Sequence, residues 1–257
     1  MTKIISIHSF RGGTGKSNLT ANLATAVART GRRVAVIDTD IQSPGIHVLF
    51  GLDENRLKYS LNDYLWGRCA IQDTAYDVSH VARNSTDGEL PPFSLFLVPS
   101  SLKCGEIARI LGEGYDVGLL NDGFRELIAA LNLDYLFIDT HPGVNEETLM
   151  SIAVSDLLLL IMRPDNQDFQ GTAVTVELAR QLDVNRMLLL LNKVPPTRDP
   201  KALTTQVENI YQVPVAGLFP LSIDVASLAS SGIFCVRYPQ HAVAREIERV
   251  AGRIINE

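Results

Sequence analysis

Short, predominantly apolar runs recur along the chain at 4–7, 34–37, 93–98, 135–138, 157–162, 187–191 and 215–219. A run that is apolar at most successive positions, rather than at alternate ones, predicts a strand covered on both faces. Between these runs apolar residues recur at helical period, which predicts helices over 16–30, 102–112, 118–131, 145–154, 168–182, 199–211 and 239–256. Strand, helix, strand repetition implies parallel neighbours joined by right-handed crossovers, because a parallel partner is reached only by crossing the sheet face. The expected fold class is α/β: a single-domain, doubly wound, mostly parallel β-sheet flanked by helices, a three-layer sandwich over residues 1–257. The stretch 66–92 breaks the alternation. There Asn84-Ser85-Thr86-Asp87-Gly88 predicts a hairpin turn and Pro91-Pro92 precedes the next strand, so it reads as a surface excursion at one sheet edge.

Composition narrows the function classes. Hydrophobic residues make up 46% and charged residues 20% of the 257, enough to bury a substantial core and unlike a disordered chain. A net charge of −6 excludes a surface that is basic all over and leaves only a local patch for nucleic acid or anionic lipid. Cys69, Cys104 and Cys235 lie too far apart in the chain for a metal-ligand pair, which fits a reducing compartment. The chain opens on an apolar run without the features of a secretory leader, and its longest such run, 157–162, is too short to span a bilayer. The expected location is the cytoplasm.

The chemistry starts after the first predicted strand, in Ser9-Phe10-Arg11-Gly12-Gly13-Thr14-Gly15-Lys16-Ser17-Asn18. Glycines let backbone N–H groups converge on phosphate oxygens, and the helix that follows offers free amides and a positive dipole end to the same anion. Lys16 would neutralise the β and γ phosphates and the Ser17 hydroxyl would join a magnesium shell. The general pattern places glycine where this chain has Phe10, and the compact form fits instead. Gly12-Gly13, Gly15-Lys16 and Ser17 resemble the deviant Walker A loop of the ParA and MinD family of ATPases. The resemblance runs along nearly the whole chain and implies a P-loop NTPase fold that binds ATP and Mg²⁺ through Gly12, Gly13, Thr14, Gly15, Lys16, Ser17 and Asn18. In the family a signature lysine reaches the partner subunit's nucleotide. Arg11 stands in its place, keeping the charge and adding a planar fork able to grip two phosphate oxygens. Lys103, after another predicted strand, is an alternative donor.

Two acidic segments follow. Val36-Ile37-Asp38-Thr39-Asp40 puts two carboxylates at the carboxyl end of a parallel strand, the edge where open α/β sheets bind ligands, and alternation sends both the same way. By resemblance to the family's switch I, Asp40 would orient the attacking water and Asp38 would support the magnesium shell. Phe137-Ile138-Asp139-Thr140-His141-Pro142-Gly143 has the apolar run and terminal acid of a Walker B strand, so Asp139 would hold magnesium through water. The family often reads Asp-x-Pro-Pro-Gly here, and His141 replaces the first proline. A loop histidine with a satisfied hydrogen bond is one reading of it and a sensor of phosphate or pH is another. Gly143 through Glu147 would form switch II.

Asn192, closing a late strand, resembles the family's adenine-recognising asparagine, since an amide can match the donor and acceptor edge of adenine. Pro220 and Leu221 resemble the loop that packs on the base. The last predicted helix carries one apolar stripe, Ile247, Val250 and Ile254, with mixed charge elsewhere, which reads as a face docked on the core rather than an autonomous membrane anchor. The resemblance implies a homodimer formed on ATP, a protein partner that stimulates hydrolysis or links to cargo, and room for nonspecific DNA on a patch drawn from Arg29, Arg32, Arg33, Arg198, Lys201, Arg237, Arg245 and Arg249. Two roles stay open: a slow ATPase switch and a dimeric scaffold that binds nucleotide and barely hydrolyses it.

Overall fold

The computed structural model describes residues 2–53, 57–84 and 88–257. Eight strands form one sheet: β1 (Lys3–His8), β2 (Arg33–Asp38), β3 (Tyr76–Asp77), β4 (Ser94–Val98), β5 (Tyr135–Asp139), β6 (Leu157–Met162), β7 (Met187–Val194) and β8 (Val215–Pro220). Their order is β3-β4-β2-β5-β1-β6-β7-β8, and every pairing is parallel except that of β3 with β4. The seven apolar runs are the seven parallel strands. The added β3 falls in the irregular stretch, where two residues pair antiparallel at the sheet edge. Of the predicted hairpin turn, residues 85–87 lie outside the described residues.

The helices are α1 (Lys16–Ala28), α2 (Ile46–Leu49), α3 (Leu61–Leu65), α4 (Cys104–Glu113), α5 (Val117–Leu131), α6 (Glu146–Ala153), α7 (Asn166–Gln181), α8 (Pro200–Tyr211), α9 (Ile223–Ser227), α10 (Phe234–Arg237) and α11 (Ala242–Asn256). Alternate residues of the strands face opposite layers. Ile5, Ile7, Val34, Val36 and Phe137 pack with α1 and α11 on one side. Ala35, Ile37, Leu136 and Ile138 pack with α5 on the other, where Leu158, Leu160 and Leu189 continue the layer beneath α7 and α8. The stripe Ile247, Val250 and Ile254 is buried in this core, and Val250 comes so close to β8 that a Cβ on Gly217 would lie 2.6 Å from its methyl.

Helix starts follow from caps. Asp116, Asp165 and Asp199 accept amide hydrogen bonds at the first turns of α5, α7 and α8, and Pro200 opens α8. Because Asp165 caps α7, that helix begins ahead of the predicted start. α1 differs: its cap position is Gly15 in the left-handed region at φ 91°, and among the described residues no side chain caps its first turn. Those amides stay open to a ligand at the carboxyl end of the central strand.

Candidate functional site

Parallel registry sets the site. Ile7 of β1 lies beside Asp139 of β5, and Asp139 lies beside Asp38 of β2, so two carboxylates end neighbouring strands next to the loop that leaves β1. Lys16, in the first turn of α1, donates from Nζ to Asp139 Oδ1 at 2.8 Å, with both side chains buried. Thr20, one turn further along the same helix face, donates from Oγ1 to the same oxygen at 2.9 Å. The second oxygen, Asp139 Oδ2, is buried and has no hydrogen-bond partner among the described residues. A buried acceptor left open at a pair of acids asks for a cation or a donor from a ligand.

Asp38 is fully buried, accepting the amides of Asp40 at 3.0 Å and Gly45 at 3.4 Å. Burial, reinforced by the Asp139 carboxylate, pushes its pKa well above the usual carboxylate range. β2 ends at Asp38 and the amide of Asp40 turns back on it, so strand alternation does not extend to Asp40. The Asp40 carboxylate instead meets His141 Nδ1 at 2.6 Å and the Ser43 amide at 3.2 Å, both on Oδ1. His141 thus has its satisfied hydrogen bond, and its partner is the acid from the neighbouring segment.

The loop is braced from β7. Asn192 donates from Nδ2 to the Thr14 carbonyl at 2.7 Å, and Lys193 donates from Nζ to the Gly13 carbonyl at 2.7 Å. Gly15 is required by this contact as well as by its φ, since a Cβ there would stand 2.5 Å from Asn192 Nδ2. Phe10, the residue at odds with the general pattern, packs against α7, and Gly171 makes the room: a Cβ on it would fall inside the Phe10 ring contact. Arg11 Nη1 donates to Gln167 Oε1 at the start of α7 of its own chain. Lys103 is exposed at the cap of α4.

Asn192, Pro220 and Leu221 come together with Gly15 and Asn18 around a cavity of about 290 Å³, walled by Phe219, Val225 and Val243. Leu221 stands open at its mouth.

His8, Thr20 and Gln167 were not singled out by the sequence. Thr20 follows Lys16 at helical spacing and was legible in principle; the others depend on distant partners. His8 is wholly buried, with Nδ1 2.8 Å from the Thr140 hydroxyl, which itself donates to the Ile7 carbonyl at 3.0 Å, so Nδ1 carries the proton. Burial, helped by the Lys16 charge, pushes its pKa down to about 3. Of the basic patch, Arg29, Arg33 and Arg249 donate to backbone carbonyls of Ala82, Leu131 and Ala216. Among the described residues no helix is long and apolar enough to cross a membrane.

A parallel sheet whose central strand opens into an uncapped glycine loop, with acids at the adjoining strand tips, defines the P-loop class of nucleotide-binding folds. Residues 5–234 match the model of the CobQ/CobB/MinD/ParA nucleotide binding domain, and the chain belongs to this family. An uncharacterized ATP-binding protein of Methanocaldococcus jannaschii is 26% identical over 99% of this chain and 88% of its own. The septum site-determining protein MinD of Thermotoga maritima is 24% identical over 100% of this chain and 89% of its own. Among solved structures, the MinC:MinD cell division protein complex of Aquifex aeolicus superposes with a TM-score of 0.81 at 20% identity, covering 100% of this chain and 96% of that one. MinD of Pyrococcus horikoshii complexed with Mg-ADP superposes with a TM-score of 0.77 at 22% identity, covering 99% and 96%.

Proposed function

We propose that residues 1–257 act as one unit, an ATP-dependent, dimerising ATPase switch of the ParA/MinD type in the cytoplasm, which positions or partitions a cargo. The observation that carries this reading is the convergence of Lys16, Asp38 and Asp139 at the open start of α1, with Asp139 Oδ2 buried and unbonded among the described residues. The donors suit Mg²⁺: Ser17 and the two carboxylates are hard oxygen ligands. When bound, magnesium would neutralise charge developing on the phosphates. Lys16 would exchange part of its bond to Asp139 for phosphate, Gly12 through Asn18 would present backbone amides, and Asn192, Pro220 and Leu221 would hold adenine. Asp40 would orient water. Arg11 would leave Gln167 to reach the partner subunit's nucleotide, and hydrolysis, stimulated by a protein partner, would release the dimer. Nonspecific DNA on the residual basic patch is compatible with this scheme, and α11 serves the core rather than a membrane.

Size-exclusion chromatography of the wild type and Asp40→Ala with ATP and with ADP tests the scheme. The variant with ATP is expected to stay dimeric while every ADP sample is monomeric; a profile indifferent to nucleotide would remove the switch. The tie of Arg11 to Gln167 in its own subunit favours the second reading, a scaffold that holds ATP and barely hydrolyses it. Arg11→Lys decides: much faster turnover would mark the natural loop as tuned for holding.

A further inference from the structure

If Asp40 orients the attacking water, one of its oxygens must be free and the carboxylate plane must be fixed, and the inference here rests on that reading. Two donors meet on Oδ1, the ring nitrogen of His141 at 2.6 Å and the Ser43 amide at 3.2 Å. Among the described residues nothing donates to Oδ2. An ionised carboxylate only accepts, so His141 Nδ1 carries a proton in this contact. The histidine is itself held: the Thr148 hydroxyl donates to its carbonyl at 3.2 Å, and the Gly143 amide two residues on donates to the Ser9 carbonyl at 3.3 Å, at the entry to the phosphate loop. Thr148 lies in α6, which Asn145 caps by accepting the Thr148 amide at 2.8 Å. The ring therefore sits on a segment fixed at both ends.

We propose that His141 is a positioning residue for hydrolysis: it binds Oδ1 of Asp40 and so presents Oδ2 to accept a hydrogen bond from the attacking water. Without it the Ser43 amide is the one donor left on that oxygen among the described residues, and the carboxylate can rotate about its last bond. Proline at this position would offer no donor. The device also couples the two segments, because a shift of 139–147 moves the ring and with it the acid that aligns water. Orientation of this kind acts on the chemical step and leaves nucleotide binding alone.

Single-turnover phosphate release, with protein in excess over ATP, separates this role from a merely structural one when run beside ADP titration and thermal melting. His141→Ala is expected to slow release about tenfold or more while ADP affinity stays within about twofold. His141→Asn, whose amide can donate from nearly the same place, is expected to recover the rate to within about threefold of wild type. In an Asp40→Ala background, removing His141 should change the rate no further. The proposal is overturned if both His141 variants are equally slow and lose ADP affinity and melting temperature together, which would make the histidine a loop brace. It is also overturned if His141→Ala releases phosphate at the wild-type rate while Asp40→Ala is inactive; the reading of Asp40 would then survive alone. Wild-type release by Asp40→Ala would remove that reading and the inference with it.

Discussion

At the amino ends of the strands, Asp156 accepts the Ile4 amide at 2.8 Å and Asp134 accepts the Arg33 amide at 2.8 Å, and both bonds lie open to water. At the carboxyl ends Asp38 and Asp139 are buried, one with its pKa driven up and the other with an oxygen that has no hydrogen-bond partner among the described residues. The residue type is the same and both pairs flank β2, β5 or their neighbours. The difference is solvation. A hydrated carboxylate on a backbone amide tidies a strand start at modest gain, whereas the desolvated Asp139 carries a cost that Lys16 and Thr20 offset on one oxygen only. Burial and incomplete pairing, not the presence of acid, separate the carboxyl edge of this sheet from the amino edge.

The sharpest break comes from Gly15→Ala. Forcing a side chain into the left-handed region and displacing Asn192 from Thr14 should destabilise by about 3 kcal/mol, combining backbone strain with a lost hydrogen bond, and should abolish ATP binding; thermal melting and nucleotide titration read both. An unchanged melt would mean the brace is slack. Lys16→Gln is next. Its amide can still meet Asp139, so the fold should hold, while ATP affinity falls roughly 100-fold for loss of a charged contact. Parent-like affinity in a fluorescence titration would refute the assignment of the phosphate site.

Acid tests the same edge through His8. Its pKa is depressed in the folded protein, so its contribution is intact above the ordinary value of 6.5 and is lost as pH falls toward about 3. By pH 5 the wild type should have lost roughly 2 kcal/mol to this group. His8→Asn, which keeps a donor for Thr140, should lack that part of the slope, and parallel denaturation profiles of the two proteins from pH 6.5 to 5 would contradict neutral burial. The smallest effect is expected at the other end of the sheet. Asp156→Ala should lower stability by about 1 kcal/mol and leave ATP turnover where it was. A turnover defect there would erase the contrast between the edges.

Much of this was legible because it is local. Seven apolar runs marked seven parallel strands, and the glycine loop, Asp38 and Asp139 each sit at the end of such a run. α9 and α10 escaped because four or five residues are too few to show a period, and β3 because a two-residue edge strand has no pattern of its own. Asn192 was marked for the base by family resemblance, yet its bond to Thr14, 178 residues away, had no signal in the chain. His141 stood out as a departure in its motif, and nothing in the sequence pointed to Asp40, 101 residues earlier, as its partner.

What the sequence determined by itself is the class of fold and the chemical inventory of one sheet edge: amides, an ammonium, a hydroxyl and carboxylates in the order a phosphate site needs. Periodicity and glycine conformation act between near neighbours, so they can be read along the chain. Only the tertiary structure decided which acids lose their water, which oxygen of Asp40 is tied and which of Asp139 is left open. Those outcomes depend on strand order and on helices folded over the sheet, and desolvation is a property of the surroundings a residue receives rather than of the residue.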